Sequence, residues 1–181
     1  YTVYVALVVA VSGTLFALSE EKSGRIGFYY LVYLVSTLAL ITGASDNAYL
    51  SLAGLFGALP FAAFRSRKGR ARYFLLLSTL ILAICYIAGV SVSMAGKVLP
   101  LYGLFRVLGG IRPLPYLGAV LGIVSLVLLY RERNKEITES AHAKRWIIGY
   151  VAVLALALVS LIALFAYANS LPYETVKEKF G

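Results

Sequence analysis

The chain alternates between long apolar segments and short segments that carry its charges. Six segments of 18 to 28 residues contain no Asp, Glu, Lys or Arg. A helix of about 20 apolar residues crosses a bilayer core of about 30 Å, and in lipid only helices and closed barrels satisfy their own backbone groups. The segments are too long for barrel strands, so the pattern predicts an all-α, polytopic membrane protein with about six transmembrane helices in a single domain. The predicted helices cover residues 1–18, 26–44, 48–64, 73–95, 114–130 and 147–169.

One further apolar segment, Val98–Ile111, is interrupted by Arg106. Within it, Pro100 precedes residues 101–108 and Gly109-Gly110 follows them, which is the arrangement that Pro and Gly favour at the two ends of a helix. This predicts a short helix at residues 101–108. Because eight helical residues extend only about 12 Å, we expect an interfacial or re-entrant helix on the outer side of the membrane.

The composition excludes several other classes of protein. Hydrophobic residues make up 61% of the chain and charged residues 14%, whereas a soluble domain is roughly half apolar and about a quarter charged. A soluble globular domain and a disordered chain are therefore excluded, and the single cysteine, Cys85, excludes a disulfide scaffold. The lipid bilayer is the expected partner, and the expected location is the plasma or inner membrane.

The 17 bases are distributed unevenly among the segments between helices. Twelve follow the first, third and fifth predicted helices, in Glu20–Arg25, Arg65–Arg72 and Arg131–Arg145, and five follow the other three. Lys and Arg accumulate in the cytoplasmic loops of membrane proteins. The three base-rich segments are therefore predicted to be cytoplasmic, with both ends of the chain outside.

Two pairs of small residues have the spacing that lets helices approach closely in a membrane. They are Gly118-x-x-x-Gly122 in the fifth predicted helix and Ala53-x-x-x-Gly57 in the third. Such pairs bring helix backbones together. We expect both pairs to pack inside the protein.

Motifs that bind metals, nucleotides or haem are absent from the sequence, which predicts neither a cofactor nor a metal. His142 lies among bases in a predicted cytoplasmic loop and is interpreted as a solvated residue. The Arg65–Arg72 segment is interpreted as a topology anchor, with binding of anionic headgroups as the alternative; a nucleic-acid partner is not expected. Ion-coupled transporters usually carry ionisable groups deep inside their helices. No acidic or basic residue lies deep inside a predicted helix of this chain, which argues against an ion-coupled transporter.

Arg106 and Arg112 are the candidate substrate-binding residues. Both lie in an apolar segment on the predicted outer side, where bases are otherwise few. The planar guanidinium group matches the geometry of phosphate. The alternative is that both side chains extend to the headgroups without specificity.

The third predicted helix and its flanks carry a family resemblance. Asp46–Leu52, Leu59-Pro60-Phe61 and Phe64–Gly69 resemble the membrane core of bacterial O-antigen ligase and polymerase-like proteins. The segment Pro172–Gly181 is similar to the approach to the large external loop of that family.

The resemblance implies a metal-independent glycosyltransferase that moves a glycan from an undecaprenyl-diphosphate carrier to an acceptor on the outer face of the membrane. It implies that Arg106 and Arg112 contact the diphosphate. Family members usually have ten or more helices and carry their catalytic residues in the large loop. The chain is therefore expected to be an incomplete portion of such an enzyme, without its catalytic base, since His142 lies on the opposite side.

Two other functions remain open. A small non-catalytic subunit of a larger membrane complex would need only apolar helices and close-packing glycines. A transporter-like membrane protein would need a polar helix face, which the sequence does not show.

Overall fold

The computed structural model describes residues 2–20, 23–43, 46–93, 103–133 and 140–170. These ranges fold into seven helices, and the predicted all-α class is confirmed for them. The helices are α1 (Thr2–Leu18), α2 (Ser23–Thr42), α3 (Asp46–Ala63), α4 (Arg67–Ser93), α5 (Gly103–Gly109), α6 (Leu114–Arg131) and α7 (Ala143–Ser170).

Four of these helices are long and apolar enough to cross a membrane, namely α2, α4, α6 and α7. This indicates a lipid bilayer as the environment of the protein. Helix α1 has 17 residues, and the apolar part of α3, Ala48–Ala63, is also short. The expectation of about six spans therefore stays a prediction for these two helices.

The predicted start of α4 at residue 73 is wrong. The helix begins at Arg67, so most of the expected basic loop is helical and only a tight turn at Phe64–Ser66 separates α3 from α4. The side-chain oxygen of Ser66 accepts a hydrogen bond from the backbone N–H of Gly69 at 2.9 Å, as a residue at a helix N-cap does. Arg, Lys and Ala, which follow, favour helices even without apolar neighbours.

Other boundaries differ by a few residues. Helix α2 begins at Ser23 and α7 at Ala143, three and four residues before their predicted starts. Both helices begin with a charged or polar turn that lies before the predicted apolar segment. The predicted short helix is confirmed as α5, with its end at Gly109.

The chain divides into two compact units, Tyr1–Ala143 and Lys144–Gly181. In the first unit, α4 is the central helix and contacts α1, α2, α3, α5 and α6. The fully buried Tyr33 of α2 donates a hydrogen bond from its hydroxyl to the carbonyl of Leu76 in α4 at 3.0 Å. The second unit contains the apolar helix α7.

The predicted packing role of Gly118 and Gly122 is confirmed. The hydroxyl of Ser78 in α4 donates a hydrogen bond to the carbonyl of Gly118 at 2.7 Å. A Cβ atom at Gly118 would come within 2.9 Å of Ile81, and one at Gly122 within 2.6 Å of the Ser78 hydroxyl oxygen. Only glycine allows α6 to lie this close to α4.

The same prediction is wrong for Ala53 and Gly57. Ala53 is exposed, and a Cβ atom at Gly57 would meet no heavy atom of a neighbouring helix within 4 Å. In the part of the chain that the structure describes, this pair makes no close helix contact. The spacing permits close approach, but among the described residues nothing lies near enough to a Cβ atom at Gly57 to require glycine there.

Candidate functional site

The segments after α1, α3 and α6 meet at one end of the first unit, which we call the basic end. Its two base-rich segments, residues 65–72 and 131–133, contain seven bases and one acid, Glu132. The bases are Arg65, Arg67, Lys68, Arg70, Arg72, Arg131 and Arg133.

Hydrogen bonds join the start of α4 to the segment after α6. The backbone N–H of Ser140 donates to the carbonyl of Arg65 at 2.8 Å, and the guanidinium group of Arg70 donates to the Ser140 hydroxyl at 3.3 Å. The Lys68 ammonium group lies 3.5 Å from the carbonyl oxygen of Arg133. Two segments that are 65 residues apart in the chain therefore lie side by side.

Arg72 joins the same end to α1. Its side chain is buried and its Nη1 atom donates to the carbonyls of Phe16 at 3.2 Å and of Ser19 at 2.6 Å. Its guanidinium carbon also lies 5.8 Å from the centre of the Phe16 ring. The last carbonyls of a helix have no partner within the helix and form the negative end of its dipole, so Arg72 satisfies the end of α1.

The sequence did not distinguish Arg72 from the other four bases of its segment. All five were expected in a loop, and that expectation is wrong for the helical ones. The one available signal is position, since Arg72 is the last charge before the apolar part of α4. A base at this position lies one to two turns inside α4, where its side chain can contact a neighbouring helix.

Four arginines of the basic end are exposed: Arg65, Arg67, Arg131 and Arg133. The Arg67 guanidinium group lies 3.9 Å from the Glu132 carboxylate, and the Arg67 side chain is 63% exposed. An ion pair at this distance with one largely exposed partner contributes little free energy. The basic end thus keeps a strong positive surplus on its surface.

Helix α5 lies at the opposite end of α4. Its Phe105 is buried and its ring centre lies 4.6 Å from that of Tyr49 at the start of α3. A Cβ atom at Gly109 would come within 2.5 Å of the Ala88 Cβ atom of α4. Since Ala88 is 21 residues after Arg67, α5 sits about 32 Å along α4 from the basic end.

The two candidate substrate-binding arginines flank the exit of α5. Arg106 is on α5, and its side chain is outside the described part of the structure. Arg112 lies in the turn between α5 and α6 and is exposed. Both therefore belong to the end opposite the basic end, and their joint contact with a diphosphate stays a prediction.

His142 is exposed, in the turn before α7, as its sequence position predicted. Cys85 lies partly buried in α4. Within the described ranges, no group of three or more His, Cys, Asp and Glu side chains is placed to hold a metal ion.

No family model, curated protein or solved structure matches this chain. The resemblance to O-antigen ligases is therefore not tested by any relative. The function of the basic end and of the end that carries α5 therefore follows from the residues at each end.

Proposed function

We propose that this chain is a multi-pass component of a bacterial plasma (inner) membrane, with the basic end in the cytoplasm. The support is the meeting of two base-rich segments, residues 65–72 and 131–133, at one end of apolar helices, which agrees with the preference of Lys and Arg for cytoplasmic loops. The end that carries α5 and Arg112 then faces outward.

We propose further that it is the membrane portion of a metal-independent glycosyltransferase that takes a glycan from an undecaprenyl-diphosphate carrier. The observation that carries the proposal is the position of Arg112. It is an exposed base beside a short packed helix, at the end where bases are few. The resemblance of Asp46–Leu52 and Phe64–Gly69 to O-antigen ligases supports the same function.

The chemistry explains why arginine suits this position. Transfer of a glycan leaves a diphosphate whose charge must be stabilised as the sugar departs. A guanidinium group fixed at the membrane surface offers two parallel N–H donors to phosphate oxygens. Arg106, which lies on α5, and Arg112, which follows α5, would hold the leaving diphosphate in this way. Another group would remove the proton of the attacking hydroxyl.

The test is genetic and biochemical. Deletion of the gene that encodes this chain should abolish the attachment of a surface glycan and leave its lipid-linked precursor in the membrane. Complementation with Arg106→Lys or Arg112→Lys should restore transfer to no more than about a tenth of the wild-type level, since lysine lacks the bidentate geometry.

The control is Arg145→Lys, an exposed base in the first turn of α7. It should restore transfer fully, and immunoblots of membranes should show equal amounts of all variants. Full transfer by both variants at positions 106 and 112 would remove these residues from the site. An unchanged glycan in the deletion strain would reject the transferase altogether.

A non-catalytic subunit of a membrane complex is the second candidate. The observation that favours it is an exposed face of α3, where Leu50 is 76% exposed and Gly54 and Ala58 are exposed one and two turns later. Small residues on a helix face let a second helix approach closely in lipid. Loss of a membrane complex from native gels of the deletion strain, with glycan attachment intact, would select this function.

A further inference from the structure

We propose that the exposed arginines of the basic end bind the phosphates of anionic phospholipid headgroups in the leaflet that they face. This inference does not depend on glycan transfer. It depends only on α4 and α6 crossing the bilayer, for which both are long and apolar enough.

The length of α4 sets the depth of its bases. Its 27 residues extend about 40 Å, whereas the hydrocarbon core is about 30 Å thick. The uncharged part, Tyr73–Ser93, is 21 residues long and by itself spans about 32 Å. The first turns, Arg67–Arg72, therefore project about 9 Å beyond the core, which carries them through the headgroup region.

Helix α6 ends at the same level. Arg131 is its last residue and follows the exposed Tyr130. The contact between the Lys68 ammonium group and the Arg133 carbonyl holds the end of α6 beside the start of α4. Bases from two spanning helices are thus presented together at one depth.

The structure also separates the bases that serve the fold from those that face outward. Arg72 is bound to the end of α1, and Arg70 and Lys68 contact the segment after α6. Arg65, Arg67, Arg131 and Arg133 are exposed, and Glu132 is the one carboxylate within the described segments 65–72 and 131–133. Because these arginines are carried on helix ends and a capped turn, their spacing is fixed before a lipid binds.

The neighbouring apolar surface makes a lipid, rather than a free phosphate, the matching ligand. On α6, Val127 is 52% exposed, Leu128 is 42% exposed and Tyr130 is 78% exposed, directly beside the bases. A phospholipid would place its acyl chains along these residues and its phosphate at the guanidinium forks. Phosphatidylglycerol carries a net negative charge there, whereas the choline of phosphatidylcholine repels the site.

The experiment measures lipid selectivity with the chain reconstituted in phosphatidylcholine bilayers. Electron paramagnetic resonance of spin-labelled lipids gives the fraction that is motionally restricted by the protein. Spin-labelled phosphatidylglycerol should associate at least about threefold more strongly than spin-labelled phosphatidylcholine, and the preference should fall with added salt.

A variant with Gln at positions 65, 67, 131 and 133 should show equal association of the two lipids. The matched variant with Lys at the same four positions keeps the charge and should retain most of the preference. Circular dichroism would establish that both variants keep the helical content of the wild type. Inorganic phosphate should displace no more lipid than chloride at the same ionic strength.

Equal association of both lipids with the wild-type chain would overturn the proposal. An undiminished preference in the Gln variant would overturn it as well, since the selectivity would then reside elsewhere. Specific displacement by inorganic phosphate would replace the lipid with a soluble anion as the ligand.

Discussion

At the scale of single residues, Arg72 combines burial with a positive charge. A buried charge destabilises a protein unless hydrogen bonds and opposite partial charges compensate it. Here the compensation comes from the carbonyls of Phe16 and Ser19, where α1 ends, and from the face of the Phe16 ring. The residue therefore joins α1 to α4 by donating hydrogen bonds to the carbonyls at the end of α1.

Substitution of Arg72 by Met should lower the free energy of unfolding by about 2 kcal/mol, because the charged hydrogen bonds are lost and the α1 carbonyls are left unpaired. Unfolding of the detergent-solubilised chain by increasing amounts of SDS, followed by circular dichroism, measures this change. Arg67→Met is the control, since its side chain is 63% exposed, and it should change the stability by less than about 0.5 kcal/mol. Equal loss in both variants would show that Arg72 has no special structural role.

The sequence alone could not have identified Arg72 as the buried base. Its segment contains four other bases, and all five share the same charge and the same apolar flanks. Which of them is buried depends on where the end of α1 lies, and this is a contact between residues 53 or more positions apart. The position of Arg112 after a short helix, in contrast, could be read from the sequence, because the end of α5 at Gly109 is marked locally by two glycines; its contact with a diphosphate stays a prediction.

At the scale of helices, the close contact between α4 and α6 depends on two glycines of α6, which have no side chain. Gly118 and Gly122 present their backbone to Ser78, whose hydroxyl binds the Gly118 carbonyl. Close backbone approach and interhelical hydrogen bonds are the main attractions between helices in lipid. This contact therefore holds α6 in place.

Replacement of Gly122 by Ala should lower the free energy of unfolding by about 1–2 kcal/mol, since the new methyl group displaces the Ser78 hydroxyl from its acceptor. Gly54→Ala is the matched control. A methyl group at Gly54 meets no atom within 4 Å, and Ala there should leave the stability unchanged or raise it by less than about 1 kcal/mol. The same SDS titration compares the two variants, and the interpretation fails if Gly122→Ala is as stable as Gly54→Ala.

The sequence predicted which segments form helices, but it predicted the ends of those helices less accurately. The apolar segments predicted the helices because hydrophobicity in lipid is a property of each segment by itself. The start of α4 was missed because its first turn is charged and is specified by Ser66 as a cap and by Gly69, where a Cβ atom would collide with the Ala63 carbonyl. The failure at Ala53 and Gly57 has a different cause, namely that spacing along one helix does not reveal whether a second helix is present.

At the scale of the whole chain, the proposed orientation follows from the gathering of base-rich segments at one end. The positive-inside preference was applied to segments that are distant in sequence, and the structure brings residues 65–70 into contact with Arg133 and Ser140 within the first unit. Two segments in contact lie on the same side of a membrane. Which side that is stays a prediction from the count of bases.

Cysteine labelling would test the orientation, on a Cys85→Ser background so that each variant has one thiol. Ala141→Cys, in the exposed turn after the contact with α4, should react with a membrane-impermeant maleimide only after the cells are permeabilised. Asn47→Cys, at the start of α3, should react in intact cells or spheroplasts. Labelling of position 141 from outside would reverse the proposed topology.

The tight turn between α3 and α4 has a consequence for how the protein is made. Because only Phe64–Ser66 separates the two helices, we expect α3 and α4 to reach the bilayer as one helical hairpin during synthesis. We expect the long apolar stretch of α4 to drive insertion, with the arginines that follow the turn kept on the ribosome side of the membrane. Since α3 is shorter and contains Pro60, we expect its insertion to depend on α4.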